Sequence, residues 1–342
     1  MKNLLLLSIL SANLLGFESF NYVNKNYKFT SQKELKANYF PTISPYYYAQ
    51  KMHYFKSFDG LNIAYKIFEV QNAKATIVIS SGRTEGMLKY QELIYDLNRN
   101  GYSVYIHDHR GQGNSERLLE DSQIGHVVKF ENYVLDMHQF VKEIVHKDKK
   151  LILLGHSMGG AIASLYVEEY PNDFDALVLS SPMHQPDLIA SSITNFACNI
   201  IEKRQHDIDR YIIGEKSYDN GSVAFNENLL THSNIRYEIS KIAFDIEPST
   251  KIGGPSVRWI QEACLGSEKS VQNANKITIP VLLIHAQNDM IVNSKPQKEF
   301  CKNAGNYCKG IQIDGAYHEI LVEDDHMRDK ALTAILDFIS KL

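Results

Sequence analysis

The segment Gly155-His156-Ser157-Met158-Gly159 is the feature that most restricts how this chain can fold. It follows an apolar run at residues 151–154 and precedes a helical pattern at residues 161–170, so a buried strand must turn abruptly into a helix. Such a turn brings backbone close to the serine, and glycines avoid the clash that a Cβ would cause. The pattern predicts that Ser157 is a nucleophile. A glycine-rich turn with an incidental serine is the competing interpretation.

Short apolar runs alternate with amphipathic helical patterns on both sides of this turn. Strands that alternate with helices pair in parallel, and helices cover both faces of the sheet. The sequence therefore predicts an α/β fold with a mostly parallel central sheet and helices on both faces. In addition, Asp59-Gly60 between two apolar runs predicts a β-hairpin. The apolar runs are residues 75–80, 102–107, 151–154, 176–179, 280–286 and 310–314, and the helical patterns are residues 87–98, 130–145, 161–170, 295–302 and 326–342.

The alternation of strands and helices stops after Pro182 and resumes near residue 276. Between these points, helical patterns mix with polar turns such as Asp219-Asn220-Gly221, which indicates an inserted, mainly helical cap. Residues 21–50 show no clear period and are predicted to be irregular. The predicted organisation is a signal-like or anchoring segment at residues 1–20, an irregular extension at 21–50, an α/β core at 51–182 and 276–342, and a cap at 183–275.

The N-terminal residues 4–17 are mostly apolar and follow Lys2, as in a secretory signal. The stretch is shorter than the roughly 20 residues that a membrane-spanning helix needs. No Ala-x-Ala cleavage site follows it, so an uncleaved interfacial anchor and a buried amphipathic start are alternatives to a cleaved signal. The protein is predicted to lie in the cell envelope, exported or anchored by this segment.

Composition and motif content exclude several classes of function. The net charge is −4 with no basic run, which argues against a nucleic-acid partner. Neither G-x-G-x-x-G nor a Walker-type phosphate loop is present, and His, Cys and carboxylate residues do not cluster with metal-ligand spacing. No cofactor and no metal are predicted. Asp108-His109-Arg110-Gly111-Gln112-Gly113 is predicted to be a structural turn.

The four cysteines are too few and too scattered for a disulfide scaffold, and they lack C-x-x-C spacing. The simplest interpretation is four free thiols. If the chain is exported, a bridge between the last two becomes an alternative. The cysteines are Cys198, Cys264, Cys301 and Cys308.

A serine nucleophile requires a base and an acid that orients the base. In the predicted fold they follow the serine in the order acid, histidine, each after a later strand. Asp289 follows the apolar run 280–286, and His318 follows the run that ends at Asp314. His318 is therefore predicted to take the proton from Ser157, with Asp289 behind it. Asp314 is the competing acid.

The negative oxygen of a tetrahedral intermediate needs backbone donors that are already in place. The N–H of Met158, directly after the nucleophile, is one predicted donor. The second is predicted to come from the loop at residues 80–85, by position the N–H of Arg83. A simple turn is the alternative interpretation of this loop.

Further short motifs accompany this set. They are Gly82-Arg83-x-Glu85, Gly125-His126-Val127, Gly315-Ala316-Tyr317-His318-Glu319-Ile320-Leu321 and, in the cap, Leu230-Thr231-His232-Ser233, Arg236-Tyr237 and Gly253-Gly254-Pro255 with Arg258-Trp259. Together with the serine turn and the Asp108 to Gly113 segment, they resemble the bacterial lysophospholipases related to monoglyceride lipases, which are α/β-hydrolases of the serine aminopeptidase S33 type. The resemblance covers roughly residue 50 to the C-terminus.

This resemblance implies hydrolysis of the acyl ester of a lysophospholipid, without a cofactor, in peripheral contact with a membrane. It also makes the cytoplasmic face of the inner membrane an alternative location. Monoglyceride lipases typically carry His-Gly-x-Gly-Glu where this chain has Ser-Gly-Arg-Thr-Glu, so a cation lies beside the predicted oxyanion site. Arg83, with Arg236 or Arg258, is predicted to bind the substrate phosphate, because guanidinium pairs with phosphate oxygens.

Four rival functions remain open on the sequence alone. A monoacylglycerol lipase or a general carboxylesterase would use the same machinery on another ester. An acyltransferase would pass the acyl group to a second lysolipid instead of water. A binding protein of the hydrolase fold would not react with its ligand at all. The sequence makes no prediction about the oligomeric state.

Overall fold

A computed structural model describes residues 17–186, 208–218 and 223–342. Nine strands form one sheet in the order β1-β9-β8-β7-β6-β4-β5-β3-β2. The pairs β2–β3 and β3–β5 are antiparallel, and the other neighbours are parallel. The strands are β1 Glu18–Ser19, β2 His53–Lys56, β3 Asn62–Phe68, β4 Ala75–Ser80, β5 Tyr102–His107, β6 Leu151–His156, β7 Ala176–Ser180, β8 Val281–Ala286 and β9 Cys308–Ile313.

Helices lie on both faces of this sheet, and further helices lie in the N-terminal extension and in the chain between β7 and β8. The helices of the described residues are α1 Gln32–Asn38, α2 Ser44–Tyr48, α3 Gln91–Arg99, α4 Glu131–Glu143, α5 Met158–Glu169, α6 Asn234–Ile246, α7 Val257–Gln272, α8 Ser294–Ala304 and α9 Asp325–Ile339. The π-helical turn Tyr39–Ile43 joins α1 to α2, and the 3-10 turn Met87–Tyr90 precedes α3.

The central strands are buried on both faces because successive side chains point to opposite sides of a sheet. In β4, Ile77 and Ile79 belong to the hydrophobic cluster on the side of α3 and α9. Val78, between them, belongs to the cluster on the side of α4, α5, α7 and α8. Such continuous apolar strands are typical of parallel sheets covered by helices. The predicted fold class is confirmed, and the hairpin at Asp59-Gly60 is formed by β2 and β3.

The N-terminal extension differs from the prediction, because it contains regular structure between residues 31 and 48. Ser31 begins α1 with a capping box, in which its side chain accepts the N–H of Glu34 while the Glu34 carboxylate accepts the N–H of Ser31. Leu35 and Tyr39 are buried against Ile235 and neighbouring side chains of α6. The extension is therefore packed onto the predicted cap.

The division into a core and a cap at residues 183–275 stays a prediction. Between β7 and β8 the described chain contains α6 and α7 and adds no strand to the sheet. The polar turn that the sequence places at residues 219–221 lies outside the described residues.

The predicted cell-envelope location, reached by export or anchoring through the apolar N-terminal segment, is wrong. Across residues 17–186, 208–218 and 223–342, no helix is both long enough and apolar enough to cross a membrane. The first 16 residues, which form most of that segment, lie outside the described residues.

The interpretation of four free thiols is also corrected. Cys301 near the end of α8 and Cys308 at the start of β9 form a disulfide, with their Cα atoms 5.1 Å apart. Cys264 is disulfide-bonded as well. No free cysteine occurs among the described residues. Cys198 lies outside them.

Candidate active site

The turn from β6 into α5 holds Ser157 in a backbone conformation that few residues adopt. Its φ is 52° and its ψ is −121°, in the left-handed half of conformational space. A Cβ at Gly159 would overlap the carbonyl oxygen of Ser80, and a Cβ at Gly155 would lie 2.6 Å from the carbonyl oxygen of Gly159. Glycine is therefore required at both positions, for the steric reason that the sequence indicated.

Ser157, His318 and Asp289 form a continuous chain of hydrogen bonds. The Nε2 of His318 lies 2.8 Å from the Oγ of Ser157, and its Nδ1 lies 2.8 Å from the Oδ2 of Asp289. His318 follows β9 and Asp289 follows β8, so parallel strands bring both to the edge of the sheet where β6 ends. The arrangement can remove a proton from the serine hydroxyl.

The acid is fixed by its own hydrogen bonds. The N–H groups of Ile291 and Val292 donate to the Oδ1 of Asp289 at 2.9 and 3.0 Å. Burial raises the pKa of Asp289, but the charge and hydrogen bond of His318 and these N–H donors outweigh burial, so the net pKa is lowered. The competing acid, Asp314, instead accepts hydrogen bonds from Ser19 and Gln312.

The loop after β4 lies against the serine. A Cβ on Gly82 would be 3.3 Å from the Cβ of Ser157. The N–H of Gly82 donates to the Oε2 of Glu85 at 2.6 Å, which fixes the loop from behind. Within the described residues, the N–H groups of Arg83 and Met158 donate no hydrogen bond. Both are available to an oxygen that develops negative charge beside Ser157.

Glu85 is the centre of a buried polar cluster that the sequence reasoning missed. It accepts the hydroxyl of Tyr90 at 2.6 Å and pairs with Lys89 at 3.1 Å, and Lys89 also pairs with Glu319 beside His318. Burial raises the pKa of Glu85, but the charges of Lys89 and His156 and the hydrogen bonds outweigh it and lower the pKa to about 2. The spacing of Glu85 and Lys89, four apart directly after the predicted oxyanion loop, was the available signal.

A cavity of about 500 Å³ opens beside this loop. Its wall includes Arg83, which follows Gly82, and Glu319, which follows His318. The cavity therefore lies next to the predicted catalytic residues. Aliphatic and aromatic side chains complete its wall. The charged side chains in its described wall are the cations Arg83, Lys89, Lys216, Lys241 and Lys251 and the carboxylates Glu215 and Glu319.

The side chain of Arg83 is held in the cavity wall by the predicted cap. Its Nη1 donates to the carbonyl oxygen of Gly253 at 3.2 Å, and its guanidinium lies 5.3 Å from the ring centre of Trp259. Burial lowers the pKa of Arg83, and the charge of Glu215 opposes that shift. A guanidinium that has lost much of its water gains from an anionic ligand.

The structure does not bring Arg236 and Arg258 to the cavity wall. Arg236 is buried at the start of α6, where it donates to both carboxylate oxygens of Glu92 at 2.9 to 3.1 Å. Arg258 donates to Asp209 at 2.8 Å. Both guanidinium groups are committed to ion pairs, so the predicted contact of these two residues with substrate phosphate is corrected.

The segment from Asp108 to Gly113 forms hydrogen bonds with the chain near the site. Asp108 accepts hydrogen bonds from the N–H groups of Met87 and Asn114 at 2.5 and 2.6 Å, which joins it to the chain that follows the predicted oxyanion loop. Arg110 is buried between Asp136 and Asp59. These contacts agree with the predicted structural role. In the described parts of the chain, no group of three or more His, Cys, Asp or Glu residues could hold a metal ion.

Known proteins are similar to this chain in sequence and in fold. The chain is 37% identical over 300 residues to lysophospholipase L2 of Escherichia coli (strain K12), across 84% of this chain and 86% of the relative. It is 26% identical to the monoglyceride lipase of Rattus norvegicus, across 78% of this chain and 82% of the relative. A crystal structure of a soluble variant of monoglyceride lipase from Saccharomyces cerevisiae, 21% identical, matches the fold with a TM-score of 0.67 over 85% of this chain and 96% of that one.

The match to a protein family covers most of the chain. Residues 71–325 match the family described as serine aminopeptidase, S33. This range includes the serine turn and the loops that carry Arg83, Asp289 and His318. The sequence profile, the similarity to lysophospholipase L2 and the shared fold together show that the chain belongs to the serine aminopeptidase S33 family of α/β-hydrolases.

Proposed function

We propose that this protein is a serine esterase that hydrolyses the acyl ester of lysophospholipids through an acyl-enzyme on Ser157. The observation that carries the substrate class is the cation-lined cavity beside the oxyanion loop. The observation that carries the chemistry is the hydrogen-bonded chain from Ser157 through His318 to Asp289.

In the first half-reaction, the Oγ of Ser157 bonds to the ester carbonyl carbon as the Nε2 of His318 takes its proton. The carbonyl oxygen becomes an oxyanion and accepts hydrogen bonds from the N–H groups of Arg83 and Met158. Asp289 stabilises the imidazolium that forms. The intermediate then breaks the ester C–O bond, and His318 gives the proton to the departing glycerol oxygen, which leaves as the hydroxyl of the glycerophosphate group.

In the second half-reaction, a water molecule attacks the acyl-enzyme. His318 takes the water proton while the same two N–H groups again bind the oxyanion. Collapse of this intermediate releases the fatty acid and returns the proton to Ser157. An acyltransferase would differ only here, because the hydroxyl of a second lysolipid would replace the water.

The charges of the cavity favour a substrate that carries a phosphate. Five cations against two carboxylates leave its described wall positive. Lys89 is already paired with Glu85 and Glu319, so Arg83 is the cation nearest the oxyanion loop that is suited to bind a phosphate. Guanidinium presents its N–H groups in the geometry of phosphate oxygens. The similarity to lysophospholipase L2 supports the same substrate class.

Monoacylglycerol hydrolysis is the second candidate. It is favoured by the similarity to the rat monoglyceride lipase and by the apolar part of the cavity wall. A monoacylglycerol would use the same serine, base and oxyanion donors but would leave Arg83 without an anionic ligand. The two candidates therefore differ in how strongly activity depends on the Arg83 side chain.

The test compares hydrolysis of lysophosphatidylcholine, lysophosphatidylethanolamine and a monoacylglycerol with the same acyl chain. Ser157→Ala is expected to lower kcat about 10³-fold or more on all three lipids, because the nucleophile is lost. Arg83→Ala keeps the backbone N–H, so it is expected to raise KM for the lysophospholipids about 10-fold and to leave monoacylglycerol hydrolysis within about twofold.

Arg258→Ala is the matched control, because this arginine pairs with Asp209 and does not line the cavity. It is expected to leave all three activities unchanged. Equal losses on lysophospholipid and monoacylglycerol in Arg83→Ala would rule out a selective phosphate contact. A wild-type preference for monoacylglycerol would favour the second candidate.

A substrate of this kind resides in lipid aggregates, so the proposal includes peripheral contact with a lipid surface. Val223, which lines the cavity, is 53% exposed, and Ile213, two residues before Glu215 of the cavity wall, is 95% exposed. Co-sedimentation with anionic vesicles measures this contact. Ile213→Asp is expected to weaken it several-fold, and unchanged binding would place the contact on another surface.

A further inference from the structure

The loop that carries His318 is bonded to a short segment of the predicted cap, residues 230–233. The N–H of Glu319 donates to the carbonyl oxygen of Leu230 at 2.9 Å. The hydroxyl of Thr231 donates to the carbonyl oxygen of Val322 at 2.7 Å. These contacts fix the chain directly after the histidine to the cap.

The residue before the histidine is fixed by the same segment. The ring of Tyr317 lies 3.8 Å from the ring of His232, measured between ring centres. His232 and Tyr317 also share one carboxylate, that of Glu323. His318 therefore lies between two residues, Tyr317 and Glu319, that both contact residues 230–233.

Glu323 is fully buried and accepts hydrogen bonds from both sides of this contact. Its Oε1 accepts the N–H of Tyr317 at 2.7 Å and lies 2.9 Å from the Nδ1 of His232. Its Oε2 accepts the N–H of His232 at 2.9 Å and the N–H of Asp324 at 3.0 Å. The Glu323 carboxylate therefore accepts hydrogen bonds both from the loop that carries His318 and from the predicted cap.

The backbone of Glu323 is also hydrogen-bonded to the predicted cap. The Nη1 of Arg236 donates to the carbonyl oxygen of Glu323 at 2.6 Å. Arg236 is itself held by the carboxylate of Glu92, and its own N–H donates to the N-cap side chain of Ser233. His232 and Arg236, from the two cap motifs, therefore both bind Glu323, which lies five residues after His318.

We propose that Glu323 is a positioning residue, which sets the place of His318 between Ser157 and Asp289 by holding the N–H of Tyr317 and the cap residue His232. This inference rests on the serine-hydrolase chemistry proposed above. Glu323 itself accepts no hydrogen bond from Ser157 or His318, so it acts through Tyr317. The effect on rate is large because a misplacement of about 1 Å can lower a rate about 10²-fold.

The test is Glu323→Gln, measured with a soluble p-nitrophenyl ester and a fluorophosphonate that labels the active serine. Glutamine keeps one accepting oxygen but directs its NH₂ group at the N–H of either Tyr317 or His232, so two donors face each other. The expected result is a kcat about 10- to 100-fold lower per labelled site, with KM within about twofold. The rate of fluorophosphonate labelling falls by the same factor, yet labelling goes to completion.

His232→Phe is a milder second variant, because an aromatic ring stays against Tyr317 and the backbone N–H still donates to Glu323, while the side-chain bond to Glu323 is lost. The histidine side chain is 37% exposed. It is expected to lower kcat about 3- to 10-fold with KM unchanged. Glu131→Gln is the control. Glu131 pairs with Lys269 at 3.0 Å between α4 and α7 and has no contact with the His318 loop, so its loss is expected to leave kcat unchanged.

Three outcomes would overturn this inference. Glu323→Gln and His232→Phe could both keep the wild-type kcat. Glu323→Gln could lower only the fraction of protein that becomes labelled, with the wild-type kcat per labelled site, which would mean that Glu323 stabilises the fold and does not position the base. Third, a fluorophosphonate could fail to label the wild-type protein. This result would overturn the proposed function itself, whereas the first two results concern only the role of Glu323.

Discussion

Glu85 and Glu168 are both buried carboxylates, yet their surroundings shift their pKa values in opposite directions. Glu85 is surrounded by donors and cations, and its pKa is lowered to about 2. Within the described residues, neither carboxylate oxygen of Glu168 in α5 has a hydrogen-bond partner. Burial raises the pKa of Glu168 to about 9, against the opposing charges of Lys276 and Lys269. Burial alone disfavours the charged form, whereas donors and cations favour it.

The raised pKa of Glu168 predicts that the free energy of unfolding falls as pH rises. Below about pH 4, folded and unfolded chains both hold the proton, and the contribution of Glu168 is fully present. Above that pH the unfolded chain loses the proton first. Stability then declines until about pH 9, where the folded chain loses the proton as well. Glu168→Gln removes this dependence and is expected to be more stable than wild type at pH 8 by at least about 1 kcal/mol.

Urea denaturation of wild type and variant between pH 5 and pH 9 measures the effect. Glu169→Gln, a change at the exposed neighbouring residue of the same helix, is the control and is expected to leave the pH dependence unchanged. Parallel stability curves for wild type and Glu168→Gln would show that Glu168 is charged or solvated in the folded protein at neutral pH.

Sequence position predicted the three residues of the hydrogen-bonded chain better than it predicted the substrate contacts. Ser157, Asp289 and His318 each follow a strand, and parallel strands bring their ends to one edge of a sheet. For Arg236, the motif gave a place in the predicted cap but not the direction of the side chain. The direction depends on Glu92, 144 residues away, which no local pattern reveals.

At the scale of elements, long apolar runs predicted strands well, because burial on both faces leaves a continuous signal. The strands β4 and β5 match the apolar runs residue for residue. The strand β1 has only two residues, too few for any pattern, and it exists because Glu18 and Ser19 pair with β9. Pairing with an edge strand is a tertiary contact that a local pattern does not contain.

The helix α1 was missed although a local signal was present. The spacing Ser31-x-x-Glu34 is a capping box, but the seven residues that follow Ser31 contain few apolar side chains. A helix this short is marginal on its own, and its stability comes mostly from packing. Here Leu35 packs against Ile235 and Ile239 of α6, so the helix forms on a surface about 200 residues further along the chain.

At the scale of the whole molecule, Arg236 joins α6 to three other parts of the chain that are far apart in sequence. Its guanidinium donates to Glu92 in α3 and to the carbonyl oxygen of Thr30 in the N-terminal extension, the latter at 2.8 Å. It also donates to the carbonyl oxygen of Glu323 in the loop that carries His318. It also pairs with Asp325 at the start of α9 at 2.9 Å. The N-terminal extension, the predicted cap and the predicted core are thereby expected to unfold together.

Arg236→Met tests this coupling. The variant keeps an apolar side chain of similar length but leaves the buried carboxylate of Glu92 without its main partner. Removing one member of a buried pair costs about 3 kcal/mol or more, so the free energy of unfolding is expected to fall by that amount. Urea denaturation, followed both by fluorescence and by circular dichroism, measures the loss and shows whether one transition remains.

Arg258→Met is the matched control, since Arg258 pairs with Asp209 at a site where both side chains are partly exposed, at 30% and 50%. Such a pair contributes little, and a change within about 0.5 kcal/mol is expected. The double variant Arg236→Met with Glu92→Met removes both buried charges. It is expected to recover only the part of the loss that comes from the unpaired Glu92 carboxylate, because the carbonyl oxygens of Thr30 and Glu323 still lack the Arg236 donors. A loss below about 1 kcal/mol in Arg236→Met would mean that Arg236 does not hold the N-terminal extension, the predicted cap and the predicted core together, and that the apolar contacts of α1 with α6 do so instead.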